Sequence, residues 1–209
     1  PVLRTCQLAP HLRGIGVLLA AGLIVSMAPT RASAQTEDVA WRATVGVTAS
    51  GNDLSKTAAG GWGNAGAVSV QTLESNGFVE FSGARGAVFV LGLSKGDTNQ
   101  TPQDIDFGIY LTGTSAIVYQ AGSQPFNSGS YTTSDKFRVE AAGNVVRYRK
   151  NGVVVYTSTL AAKFPLLVDT AINTTGAPVV DPRIGQTTSS AEAGLTASEG
   201  TLAKASAVG

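Results

Sequence analysis

Short apolar-rich runs alternate with clusters of Gly, Asn, Asp, Ser and Pro from residue 41 to residue 172, the pattern of strands punctuated by turns. Runs at 41–48, 67–73, 77–82, 87–94, 105–112 and 116–120 predict the first strands. Residues 136–141 alternate strictly, with Phe137, Val139 and Ala141 on one face. Gly143-Asn144 then turns the chain into the run 145–149. Asn151-Gly152 supplies the two positive-φ positions of a type I′ hairpin, and the run 153–158 returns antiparallel. A last apolar run covers 165–172. About ten or eleven strands follow from this reading, and no stretch has convincing helical periodicity. The expected fold is all-β: a two-sheet antiparallel β-sandwich, or jelly roll.

The ends have a different texture. Arg4 and Arg13 precede the apolar run 15–28, then come Pro29 and Ala32-Ser33-Ala34. A charged lead, a short apolar stretch and small residues before a cleavage point are the parts of a secretory signal peptide. The run is 14 residues, short of the roughly 20 that span a bilayer. We expect residues 1–34 to be a signal peptide, with cleavage between Ala34 and Gln35. The sandwich domain is expected at 35–182, its ordered part from about residue 39. Residues 183–209, small and polar, read as a flexible Ala/Ser/Gly-rich tail or linker. These expectations place a secreted or cell-surface chain outside the cell, with no membrane span in its mature part.

Composition matters mainly through what the signal removes. Cys6, His11 and Met27 are the only residues of their types, and all lie before residue 35. The mature chain therefore has no Ser-His-Asp triad, no Cys-His pair and none of the usual zinc ligands. Removing Arg4, Arg13 and Arg31 leaves twelve basic residues against fourteen acidic ones. That balance does not suit a polyanion, so nucleic acid is not an expected partner.

Several motifs, in order, resemble one module. They are Gly51-Asn-Asp-Leu-Ser-Lys-Thr-Ala58, Gly61-Trp-Gly-Asn-Ala-Gly66, Gly77-Phe-Val-Glu-Phe81, Val146-Arg-Tyr-Arg-Lys-Asn-Gly152 with Tyr156, and Pro165-Leu-Leu-Val-Asp169. The set is similar to concanavalin A-like lectin/glucanase jelly rolls of bacterial secreted and surface proteins. Its Tyr-x-Lys-Asn-Gly hairpin is similar to that of SPRY domains. The resemblance covers roughly residues 41–176 and implies an accessory or adhesive module. It does not choose a chemistry, because jelly rolls host hydrolases, lectins and protein-binding domains alike.

A glycosidase needs two carboxylates flanking the scissile bond. Asp104-Ile-Asp106 is expected to put two on one strand face, but the third acid of the glucanase pattern Glu-x-Asp-x-x-Glu is replaced by Ile109. Asp97, Asp104 and Asp106 are also candidate calcium ligands, since hard cations take clustered oxygens; the alternative is that they are solvated turn acids. Trp62, among glycines, either presents its ring to a sugar, with Asn64 and Asn52 as polar partners, or plugs one end of the sandwich. Tyr110, Tyr119, Tyr148 and Tyr156 are expected in the sheets with hydroxyls at the rim. Arg147, Arg149 and Lys150 meet an anionic surface or guard an edge strand.

The reading that follows is a secreted, non-enzymatic recognition or adhesion module, binding carbohydrate or another surface polymer. The alternative is a self-associating structural subunit of an extracellular matrix or fibre, and the third reading is a glycosidase.

Overall fold

The computed structural model describes residues 35–187, so the expected signal peptide and most of the expected tail lie outside the described residues. In the first half the strands are β1 (Gln35–Asp38), β2 (Trp41–Val45), β3 (Val47–Ser50), β4 (Asp53–Lys56), β5 (Gly66–Leu73), β6 (Gly77–Ser82) and β7 (Val88–Ser94). In the second half they are β8 (Phe107–Thr112), β9 (Ser115–Gln120), β10 (Ser123–Ser130), β11 (Lys136–Ala142), β12 (Val145–Lys150), β13 (Val153–Ala161), β14 (Leu166–Ile172) and β15 (Pro178–Gln186). One turn of 3-10 helix, Pro102–Asp104, interrupts them. Among the described residues no helix is long and apolar enough to cross a membrane.

The strands form two antiparallel sheets, as expected. The first runs β13-β12-β11-β6-β15-β4-β3, with β1 also on β15; the second runs β10-β9-β8-β7-β14-β5-β2. Alternation along β11 buries Phe137, Val139 and Ala141 and leaves the intervening residues half-buried. Asn151 and Gly152 take φ of 52° and 80°, as the type I′ hairpin between β12 and β13 requires. Between the sheets, the ring of Phe81 (β6) lies 5.9 Å from Phe89 (β7) and 5.8 Å from Phe137 (β11). All three are buried, and each such ring contributes about 1.5–3 kcal/mol by leaving water.

Three departures from the sequence reading have physical causes. The run 41–48 splits at Gly46, whose φ of 58° sends β2 to one sheet and β3 to the other. Strand β15 runs to Gln186, with Arg183 to Gln186 pairing β1 on one side and β6 on the other. It therefore crosses the expected boundary at 182, and a register shift between Val180 and Arg183 masks its periodicity. Strand β12 is interior, not an edge, so Arg147, Arg149 and Lys150 guard nothing. Arg149 instead pairs with Glu140 at 2.9 Å and Lys150 with Asp135 at 3.6 Å.

Candidate functional site

The outer face of the second sheet, away from the main core, carries the aromatic side chains that matter. Residues pointing inward along β8 are Phe107, Ile109 and Leu111, which belong to the main core; period-two alternation puts Tyr110 on the opposite face. Tyr119 of β9 is brought beside it because Tyr110 pairs with Ile117 in the ladder. Their ring centroids are 6.4 Å apart at 80°, and Trp62 meets Tyr110 edge-on at 5.8 Å and 67°. Trp62, Tyr110 and Tyr119 thus form one file. With Val90, Pro102, Gln103, Gly122 and Gln124 they line a cleft of about 240 Å³. Trp62 remains 37% exposed, so it presents a ring to solvent rather than plugging the sandwich. Burial raises the Tyr119 phenol above its usual range.

What fixes Trp62 is a lysine. Lys56 ends β4 with only 2% of its surface exposed. Its ammonium has three donors, and three oxygens accept them: Gly61 O at 2.5 Å, Asn64 Oδ1 at 2.6 Å and Ile172 O at 2.8 Å. Burial lowers its pKa, since leaving water disfavours the charged form. Asn64 closes the loop with a second bond, Nδ2 to Ala59 O at 3.0 Å. Gly61 and Gly63 flank the ring with φ of 120° and 83°, conformations that a side chain resists. Their amides donate to Asn173 O and Gln100 O, tying the loop to its neighbours.

The sequence-predicted site is only partly assembled. Trp62 is in the cleft, and Asn64 organises its loop. Asn52 belongs elsewhere: it sits in the turn between β3 and β4, its carbonyl accepts the Trp41 indole N–H at 2.6 Å, and its amide donates to Pro182 O at 3.1 Å. Those partners are not lining residues of the cleft, so Asn52 stitches strand ends together. Tyr148, expected at the rim, is fully buried, and burial raises its phenol well above the usual range.

Among the described residues the three aspartates are not gathered into one metal-holding group, and Asp104 and Asp106 do not share a strand face. Asp104 lies in the 3-10 turn, and its Oδ2 accepts the amides of Thr98 at 2.6 Å and Asn99 at 3.2 Å. Asp106 precedes β8 and accepts the Lys95 amide at 2.8 Å. Both act as turn caps. Among the described residues no group of three or more His, Cys, Asp or Glu side chains is placed to hold a metal ion. The turn caps hold the segment 95–106 across the outer face, where Ile105 packs with Val90, Tyr119 and Ala171.

Under that segment lies a residue whose chemistry the sequence hid. Asp169, in the apolar strand β14, is buried, and its Oδ2 has no hydrogen-bond partner. Burial first, then the charges of Asp97 and Asp104, push its carboxyl up to about 8, against a lowering bond from Ser94. Asp97 is itself raised by burial and by Asp104, with Arg42 opposing. Asp169 is not among the residues lining the cleft, and that lining contains no carboxylate at all. A larger cleft of about 570 Å³ between β1 and β5 is lined by Gln35, Thr36, Glu37, Gln71, Thr72, Ile184 and Gln186, without an aromatic ring.

No family model matches the chain, and no curated protein matches it. Solved structures do. The chain is similar to the TRIM65 PSpry domain at 11% identity and a TM-score of 0.50, over 73% of this chain and 90% of that one. It is similar to the potassium-bound Emp46p carbohydrate recognition domain at 11% and 0.48, over 70% and 88%. It is also similar to a Bacillus licheniformis β-glucanase at 11% and 0.43, over 74% and 92%. At such identities the likeness concerns the fold alone. The fold is the concanavalin A-like jelly roll, which agrees with the resemblance of the motifs between residues 41 and 176.

Proposed function

We propose that this chain is a secreted, non-catalytic recognition module that takes a carbohydrate or another neutral surface polymer across the Trp62–Tyr110–Tyr119 cleft. The observation that carries the proposal is the exposed Trp62 ring, held at the mouth of an uncharged aromatic cleft by the buried Lys56. Aromatic faces supply apolar contact to the C–H side of a sugar, while a few polar groups fix its orientation. Gln103 and Gln124 supply amide donors and acceptors suited to hydroxyls. The cleft is smaller than the roughly 300–1,000 Å³ of pockets that enclose a whole ligand. It suits part of a long chain passing over it.

The non-catalytic part of the reading rests on the lining. Glycoside hydrolysis needs paired carboxylates, and the cleft offers tyrosines, glutamines and a tryptophan instead. Secretion rests on the signal-like leader. The test is a glycan array probed with the full chain and with its Trp62→Ala variant, comparing neutral with acidic polysaccharides. Binding to neutral glycans that depends on Trp62 supports the proposal. Equal binding by the variant, or binding only to acidic polymers, overturns it.

A further inference from the structure

Residues 95–106 form a strap across the outer face of the second sheet, and the strap builds part of the cleft. Its Pro102 and Gln103 are lining residues. The Gln100 carbonyl accepts the Gly63 amide at 3.2 Å, next to Trp62, and the Ile105 carbonyl accepts the Ala121 amide at 3.1 Å, next to Gly122. Beneath the strap lies Asp169. Leu166, Val168 and Ile172 of β14 belong to the main core, so period two turns Leu167, Asp169 and Ala171 to the outer face. Asp169 is buried there, and its surroundings do not suit a negative charge. In the ladder it stands opposite Val68 of β5 and Gly92 of β7, and neither strand contains a charged residue. Ser94 bonds to it, but its Oδ2 has no hydrogen-bond partner. The charges that act on it are Asp97 and Asp104, both on the strap and both negative. Arg42 of β2 acts on Asp97.

We propose that Asp169 latches the strap while it is protonated and releases it on ionisation, so that the cleft is assembled at low pH and comes apart at high pH. What this means for ligand binding rests on the recognition reading above. A buried carboxylate with an unpartnered oxygen needs water. Strands β5, β14 and β7 are locked to one another by ladder bonds, so the strap is the cover that can move. Its release hydrates the carboxylate and separates it from Asp97 and Asp104. It also draws Pro102 and Gln103 away from Tyr110 and Tyr119, and frees the Trp62 loop from Gln100. The direction follows from the Asp169 carboxyl being pushed up to about 8 in the closed form, against 3.8 in water. The closed strap binds the extra proton, so closure is fully favoured below the lower value and weakens as pH rises toward the upper one.

The experiment follows hydrogen exchange in the full chain and in its Asp169→Asn variant at pH 6 and pH 9, and it needs no ligand. At a given pH the chemical exchange rate over residues 95–106 is the same in both chains, so the ratio of their observed rates reads opening of the strap. That ratio, parent over variant, is expected to be at least about threefold larger at pH 9 than at pH 6. The loop 59–64 is expected to follow the strap, while β11 and β12 show no such change. Asp97→Asn, at an exposed position, removes one of the two facing charges and is expected to slow exchange of the strap at pH 9. If Asp169→Asn does not fold, that second comparison decides, and equal exchange by parent and Asp97→Asn overturns the proposal. A ratio unchanged between the two pH values, or a rise shared equally by β11 and β12, which is global unfolding, also overturns it. Failure of glycan binding with this exchange pattern intact counts against the recognition reading alone.

Discussion

The Lys56 ammonium lies 2.6 Å from the side-chain oxygen of Asn64, and this bond ties the end of β4 to the far side of the loop that carries Trp62. The same nitrogen holds Gly61 O, just before the ring, and Ile172 O, at the end of β14. One buried cation thus positions the candidate binding residue against the sheet face that completes the cleft.

Replacing Lys56 with methionine keeps the stem and removes all three donors. Two backbone carbonyls and the Asn64 oxygen then lose their partner, at about 1–3 kcal/mol for each group left buried. The loop can relax toward water, so we expect a net loss of about 2–4 kcal/mol in urea unfolding. The emission of Trp62 should shift to the red. Unchanged stability with unchanged emission would remove Lys56 from the account.

Asp169 makes stability fall as pH rises. Its folded carboxyl holds its proton up to about pH 8, whereas an unfolded one releases it near 3.8. Between those values the folded state binds the extra proton, and stability declines with increasing pH through that window. The full cost, present above pH 8, is at most about 6 kcal/mol at 1.36 kcal/mol per unit. Asp169→Asn keeps the shape without the charge. We expect it to unfold at higher urea than the parent at pH 8, by about 2–5 kcal/mol, and to match it closely near pH 4. Parallel pH profiles for the two proteins would contradict this.

A chain ended at residue 182 should be much less stable than one ended at 187. The shorter chain loses Arg183 to Gln186, the segment of β15 that pairs with both β1 and β6. It also loses Ile184, which is 3% exposed. Removing a buried side chain of that size costs about 2–5 kcal/mol, before any ladder bond is counted. Thermal unfolding of the two chains checks this, and equal midpoints would show that β15 ends earlier.

How much of this was legible depends on the element. The meander β11-β12-β13 could be read because alternation and Asn151-Gly152 agree with each other. Strand β10 could not: its residues are exposed almost throughout, so Ser-Gln-Pro-Phe-Asn-Ser-Gly-Ser has no buried face to impose a period. Strand β15 is broken in sequence by Asp181-Pro182, with Asp181 at φ 50°. Trp62 announced itself through its glycines, but its partners Tyr110 and Tyr119 become neighbours only through the β8–β9 pairing. Lys56 and Asp169 stayed hidden because a lone charged residue reads as solvated until the acceptors around the one, and the apolar packing around the other, are in place. Arg147 and Arg149 misled for the complementary reason, since strand order decides which strand is an edge.

The most direct test of the central claim is calorimetric titration of the neutral polysaccharide that binds best, against the full chain and its Trp62→Ala and Tyr110→Ala variants. Loss of one aromatic platform from a small cleft should weaken binding by about 1–3 kcal/mol, five- to more than a hundredfold. The account predicts such a loss for both variants with unfolding midpoints little changed. Affinities equal to that of the parent chain would show that recognition happens on another surface.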